Sequence, residues 1–324
     1  MKSYKTALIN TKEENLLRVY PQNLIDELAA ISELMPGVQT PENVDNGDLA
    51  DVEILFSTWG MPILTPEQLD KMPKLEAVFY AAGAVDHFAP NLFERNIKIF
   101  SAWTANAIPV AEYCLAQILL SMKGFFRSAK EMKEHQQYTR KYVGPGVYGD
   151  TIALIGSGAV SQHLQKLLKP FNLNVMVVPS KQSERANMLE EAFSKAAVVS
   201  NHLPNRDDDT GVLNGKLFAS MRPGAVFINT GRGRQVNEPE LIEVLEKRPD
   251  LTALLDVTMP EPPLPDSKFY TLPNVWLTPH IAGSLNDEVK RMVVFMLDEF
   301  RRYINGEATE FGVDPCMLLS AKQN

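Results

Sequence analysis

Short runs of Val, Ile, Leu and Ala alternate with amphipathic helical stretches from one end of this 324-residue chain to the other. The runs read as strands at Ala7–Asn10, Glu53–Ser57, Ala77–Ala81 and Ile97–Ala102 in the first third. Further along they fall at Thr151–Ile155, Val175–Val178, Ala197–His202, Ala225–Asn229, Ala253–Val257 and Val275–Leu277. Most lack the in–out alternation of a half-solvated strand. A continuous apolar run suits a strand buried on both faces of a parallel sheet. Parallel strands need crossovers, and Val160, Leu164, Leu167, Leu168 and Phe171 fall on one helical face, as a crossover helix requires. The pattern predicts an α/β chain of doubly wound parallel sheets.

At about 100–200 residues per domain, the length favours two domains. Two longer helices are natural crossovers between them. The first runs from about Ile108 to Lys130, and the second is opened by Ser284 and Asp287 as a capping box before a stripe of Val289, Met292, Val293, Met296 and Phe300. On this reading residues 103–284 form one domain, inserted into a second made of residues 1–102 and 285–324.

Hydrophobic residues at 45% and charged residues at 22% exclude a disordered chain, a collagen-like fibre and a coiled-coil rod. The formal charge of −8, from 32 Lys plus Arg against 40 Asp plus Glu, argues against a general nucleic-acid binder. The two cysteines, Cys114 and Cys316, have no metal or redox spacing, which speaks against a disulfide framework, a structural zinc site and any other metal site. The N-terminus runs into a strand without a signal-peptide core, and no apolar run nears the roughly 18 residues of a membrane span. The expected setting is the cytoplasm.

The segment from Thr151 through Gly156, Ser157, Gly158, Ala159 and Val160 to Ser161 is a strand, a glycine turn and a helix start. Gly156 permits the tight turn, and Gly158 lets a pyrophosphate approach the helix N-terminus. Ser161 replaces the third glycine of the dinucleotide fingerprint with another small residue. About 20 residues on, where an acid would hold a ribose 2′-hydroxyl, the chain reads Pro179-Ser180-Lys181. A carboxylate would repel a 2′-phosphate, whereas Ser180, Lys181 and Arg185 can donate to one, so NADP is favoured over NAD.

Three later segments place an arginine, an acid and a histidine after consecutive strands. They are Asn229-Thr-Gly-Arg232-Gly233, Asp256-Val-Thr-Met-Pro-Glu261-Pro262 and Thr278-Pro-His280-Ile-Ala-Gly283. Loops at the carboxyl ends of parallel strands are where open α/β sheets bind ligands. Taken singly, each of the three residues reads as an ordinary structural or surface group. Taken together, they suit reduction of a carbonyl beside a carboxylate.

With these segments, and with Leu75 to Asp86, Asn106 to Glu112 and Asn201-His-Leu-Pro204, the chain resembles the D-isomer-specific 2-hydroxyacid dehydrogenases. The resemblance spans nearly the whole chain. It implies a Rossmann cofactor domain inserted into a flavodoxin-like substrate domain, with the active site in the cleft between them. It implies that Arg232 binds the substrate carboxylate and polarises the ketone, and that His280 is the general acid. Glu261 would orient His280 and supply the negative charge that an imidazolium needs. Ala82 and Gly83 would offer backbone amides to the carboxylate, and Trp59 is a candidate to close the substrate pocket. Asp256 matches the position that holds the nicotinamide carboxamide, and Thr230, Gly231, Gly283, His202, Leu203 and Pro204 would line the cofactor. His87, His135 and His163 receive no role.

The expected activity is hydride transfer from NAD(P)H to C2 of a small 2-oxo acid, such as glyoxylate or hydroxypyruvate, giving the D-2-hydroxy acid. The expected assembly is a homodimer through the cofactor domain, with neither nucleic acid nor membrane as partner. Two other readings stay open on the sequence: a dinucleotide-sensing corepressor-like interaction protein on the same fold, and a dehydrogenase of formate or a phosphite-like anion.

Overall fold

The computed structural model describes residues 3–136, 138 and 142–315; Cys316 lies outside them. The chain divides into two compact units, Met1–Asn106 with Ser284–Asn324, and Ala107–Gly283.

In the first unit, β1 (Lys5–Ile9), β2 (Glu33–Gln39), β3 (Ile54–Ser57), β4 (Ala77–Tyr80) and β5 (Lys98–Ser101) form a five-stranded sheet in the order β2-β1-β3-β4-β5. All pairs are parallel, which is the flavodoxin-like winding. Phe56, Phe79 and Phe100 stack across three neighbouring strands at ring separations of 5.2 and 4.6 Å. The helix Val289–Asn305 lays Phe300 edge-on against Phe56 and Phe79 at 5.1 and 5.3 Å. The C-terminal helix therefore completes the core of the N-terminal sheet.

The second unit holds β6 (Tyr148–Ile155), β7 (Asn172–Val178), β8 (Val198–Asn201), β9 (Val226–Asn229), β10 (Thr252–Leu255) and β11 (Val275–Leu277). They form a parallel sheet in the order β11-β10-β9-β8-β6-β7. After β7 the winding reverses, so β6 has β7 on one side and β8 on the other. That switch point opens a crevice at the carboxyl end of β6, where the glycine turn lies. On the other side of the sheet's winding, the chain leaves β7 directly into the helix Gln182–Lys195.

Several local expectations need correction. β2 has no strand signal in the sequence because it carries Pro36 and Gly37; it is an edge strand, the place where a missing N–H can be tolerated. The helix expected from Ile108 to Lys130 is two helices, Trp103–Met122 and Phe125–His135. Gly124, at φ +70° in the left-handed region, breaks it. The first of these, 20 residues long with a mean hydropathy of 1.2, is long and apolar enough to cross a membrane. Its Ala111, Cys114, Ile118 and Met122 are fully buried against Ile152, Leu154 and Ile228 of the second sheet. Burial also pushes the Cys114 thiol up to about 12, so it is a packing group and not a thiolate.

Ser284 does not cap the last helix. Its amide donates to Asn106 Oδ1 at 3.0 Å, and Leu285 N donates to Glu288 ahead of the helix. This bond and the burial of Ala105 in the first core move the division from 102/103 and 284/285 to 106/107 and 283/284.

Phe300→Ala removes a fully buried ring and should cost about 3–5 kcal/mol of unfolding free energy. Denaturant titration measures it, and a loss below about 1 kcal/mol would contradict the assignment of this helix to the first core.

Candidate active site

The glycine turn follows β6. Gly156 has φ +108°, and a Cβ there would lie 2.6 Å from the His202 carbonyl oxygen, so only glycine fits. The same loop is tied back by His202 N to Ile155 O at 2.7 Å. Gly158 is the N-cap of the helix Ala159–Leu168; it has no side chain to cap the first turn, and a Cβ there would meet open space. A helix start with uncapped amides facing an open cradle suits a pyrophosphate. Ser161 is fully buried, as the tight packing of helix on strand requires.

His202 is 8% exposed; its Nδ1 lies 3.3 Å from Thr230 Oγ1, and its Nε2 has no partner among the described residues. Burial pushes the imidazole down to about 3, so it stays neutral and cannot serve as a proton donor. An orphaned buried nitrogen beside the glycine turn and an uncapped helix start together fit a dinucleotide.

Ser180 Oγ accepts the Ser157 N–H at 2.9 Å, which joins the end of the second strand to the glycine turn. Lys181 is well exposed, with Nζ 3.2 Å from Glu184. Arg185 differs from expectation. It is 1% exposed and donates to Ser180 O at 2.9 Å and to the buried Asp209 carboxylate. It anchors the loop from within and offers nothing to a ligand.

Arg232 sits in the turn after β9, where Asn229 ends the strand. Three buried amides hold this turn. Asn201 Nδ2 donates to Asn229 Oδ1 at 2.9 Å and to Gln235 Oε1 at 2.7 Å. Gln235 Nε2 donates to the carbonyls of Leu203 at 2.9 Å and Pro204 at 2.6 Å. Gln235 Oε1 and Asn229 Oδ1 also accept the backbone N–H of Arg232 and Gly231, at 3.1 Å each. A Cβ on Gly231 would fall 2.7 Å from Gln235 Oε1. The Arg232 guanidinium donates to Gly231 O at 2.8 Å, and its other N–H groups have no partner among the described residues.

The other two loops meet directly. His280 Nδ1 lies 2.6 Å from Glu261 Oε1, with both side chains partly exposed. His280 has φ +53°, a left-handed conformation that histidine adopts more readily than most residues. Asp256 pays for it: at 3% exposure it accepts the Thr278 hydroxyl at 2.6 Å and the amides of Ile281 and Ala282 at 2.9 Å each. Its oxygens hold the histidine loop and leave one acceptor position for anything else. Such a histidine can exchange a proton at Nε2 while Nδ1 stays fixed.

Arg232 and Glu261 line one open groove of about 720 Å³, together with Arg234, Glu238 and Met259. Trp59, Ala82 and Gly83 belong to the first unit. Trp59 is partly exposed, and its carbonyl accepts from Asn10 Nδ2 at 2.9 Å. Ser101 Oγ faces the carbonyls of Ala82 at 2.9 Å and Gly83 at 2.6 Å, so the N–H groups of Gly83 and Ala84, trans to those carbonyls, point away from Ser101. The sequence reading missed Asn201, Asn229, Gln235 and Glu238. Polar residues at strand ends and in short turns carry no periodic signal, and only their mutual burial marks them.

Residues 115–282 match the D-isomer specific 2-hydroxyacid dehydrogenase family in its NAD binding domain. The chain is 29% identical to the (S)-sulfolactate dehydrogenase of Chromohalobacter salexigens over 75% of its own length and 82% of that protein. It is 25% identical to the D-3-phosphoglycerate dehydrogenase of Methanocaldococcus jannaschii over 89% of its length, spanning 56% of that relative. A phosphoglycerate oxidoreductase from Rhizobium etli shares the fold with a TM-score of 0.78 at 20% identity, over 97% of this chain and 98% of that one.

Gln235→Leu would strand the Asn201 and Arg232 N–H donors and the two carbonyls it caps. At about 1–3 kcal/mol per buried unsatisfied group, an overall loss of at least about 3 kcal/mol is expected in denaturant titration. A variant as stable as the parent would show that the amide cluster is dispensable.

Proposed function

The chain belongs to the D-isomer specific 2-hydroxyacid dehydrogenase family, and from that premise we propose that it reduces a small 2-oxo acid to the D-2-hydroxy acid. The observation that carries this reading is the 2.6 Å contact between His280 Nδ1 and Glu261 on ligand-facing loops of one sheet. Arg232 holds the substrate carboxylate and polarises the ketone through its remaining N–H groups. His280 delivers the proton from Nε2 to the ketone oxygen, while its Nδ1–H stays on Glu261. The reduced nicotinamide, when bound, supplies the hydride that adds to C2. In the reverse direction His280 takes the proton from the hydroxyl, and Glu261 balances the charge that the ring acquires.

The size of the substrate is argued from the groove's cations. Sulfolactate and phosphoglycerate carry a second anionic group, and a protein that binds them needs a second free cation. Arg234 is the other arginine in the groove, and it is already held by Asp207 at 2.8 Å and Thr210 at 3.1 Å. That supports a substrate with a single negative charge, of the size of glyoxylate or hydroxypyruvate. The resemblance also implies a homodimer through the cofactor unit, where Leu120, Phe125 and Met132 leave apolar surface exposed.

For the cofactor we favour NADP over NAD. Between β7 and the helix Gln182–Lys195 the chain carries Ser180 and Lys181 and no acid, and Glu184 in the first turn of that helix is paired with Lys181 at 3.2 Å. Arg185 drops out of that argument because it is buried and spent. Lys181→Ala should lower kcat/KM with NADPH about tenfold, the worth of one charge-assisted bond of about 1.4 kcal/mol, and leave NADH nearly unchanged. A parent enzyme that prefers NADH would remove this part of the proposal.

The acid is tested by His280→Ala. Turnover of 2-oxo acids should fall about 10²–10⁴-fold, while the dissociation constant of the cofactor, read by fluorescence, stays within about twofold. Unimpaired turnover would refute the assignment.

A further inference from the structure

Glu238 opens the helix Glu238–Lys247 and lines the groove, and nothing in the reaction as derived above uses it. Its Oε1 accepts the backbone N–H of Met259 at 2.6 Å. Met259 lies in the loop that leaves β10 at Leu255 and delivers Glu261. Asp256 N is anchored on Asn229 O at 3.0 Å, and Thr258 Oγ1 donates within the loop, to Pro260 O at 2.8 Å. Among the described residues, the bond to Glu238 is then the one hydrogen bond that ties the backbone of residues 257–261 to another segment. Contact closes the loop from the other side. A Cβ on Gly233 would lie 2.0 Å from the Thr258 carbonyl carbon, so the turn bearing Arg232 presses directly on it.

We propose that Glu238 is a positioning residue for the reaction, holding the Thr258–Glu261 loop through the Met259 amide so that Glu261 stays in register with His280. The proposal rests on the dehydrogenase reading of the site. A loop of five residues fixed at one end and at its middle can set a carboxylate to a fraction of an ångström. Released at the middle, it would let Glu261 wander from the imidazole, and a general acid loses rate steeply with such misplacement.

The bond has a pH dependence of defined sign. Burial holds the Glu238 carboxyl up at about 7, against the pull of the Met259 amide, which favours the ionised form. Above that pH the carboxylate accepts a charge-assisted bond; as pH falls through about 7 it gains a proton and the bond weakens. The charged groups around it are Arg232 and Arg234 on the turn after β9, Glu261 on the held loop, and Asp207, which pairs with Arg234 from the loop after β8. His280 joins this set through Glu261. Loss of the bond to Met259 removes activity on the acid limb, as pH falls through about 7.

Two variants separate positioning from mere support. Glu238→Gln keeps an oxygen that accepts from Met259 and cannot titrate, so kcat near pH 7.5 should stay within about threefold of the parent while the acid-side fall near pH 7 disappears. Glu238→Ala should lower kcat at least about tenfold with the cofactor dissociation constant unchanged. It should also speed hydrogen–deuterium exchange of the Met259 amide, measured on the NADPH complex. A parent-like kcat in Glu238→Ala, or an acid limb that persists in Glu238→Gln, would overturn the proposal. Should Glu238→Ala fail to fold, the Glu238→Gln profile decides alone. If the parent reduces no 2-oxo acid with either nucleotide, the dehydrogenase reading falls instead; the exchange of the Met259 amide then decides the positioning, and unaltered exchange in Glu238→Ala overturns it.

Discussion

Much of the cofactor unit turns on three buried side-chain amides. Asn201 at the end of β8, Asn229 at the end of β9 and Gln235 in the turn beyond satisfy one another and then satisfy backbone groups on two loops. A neutral network buried in a medium of low dielectric is strong when complete and costly when one member is missing. In this one each amide hydrogen of Asn201 and Gln235 has an acceptor, and Asn229 Nδ2 donates to Arg232 O at 3.4 Å. The loop it pins from one side, His202 to Pro204, lies against Gly156. The turn it pins from the other side carries Arg232. The dinucleotide cradle and the cationic arginine therefore share one joint, and neither can shift without disturbing the other.

A second joint holds the His280–Glu261 pair. His280 occupies a left-handed backbone conformation, which costs on the order of 1–3 kcal/mol and persists only where surrounding bonds over-determine it. Asp256 is the over-determining group, with a hydroxyl and two amides on its carboxylate. The result is an imidazole whose Nδ1 side is fixed and whose Nε2 side is open. An acidic chain, at −8 overall, can hold anions only where a few cations and amides oppose its average. Arg232, Lys181 and the uncapped helix start at Gly158 are the groups proposed for that part.

How much of this was legible in the sequence varies with the kind of residue. Ten strands announced themselves as apolar runs, eight of them because burial on both faces demands such runs, while β7 and β11 are apolar but half-exposed edge strands. β2, an edge strand with Pro36 and Gly37, could not be seen. The break at Gly124 was missed because a glycine inside an apolar helical pattern reads as a tolerated defect until its positive φ is seen. Gly156, Gly158, Arg232, Glu261 and His280 stood out because their chemistry needs particular residue types just after particular strands. Arg185 misled for the same reason. A basic residue near the end of β7 looks like a phosphate ligand, yet its guanidinium turns inward to Ser180 and Asp209, and only burial reveals that.

By itself the sequence determined the α/β alternation, the place of the glycine turn and the residues of the candidate site, because periodicity and residue type act locally along the chain. The tertiary structure decided which of those groups meet and which are already occupied. His280 faces Glu261 across 19 residues, and Glu238 holds Met259 across 21. Such pairings follow from the order in which parallel strands are laid side by side. That order is fixed by packing and crossover geometry over the whole sheet, and no window of sequence contains it.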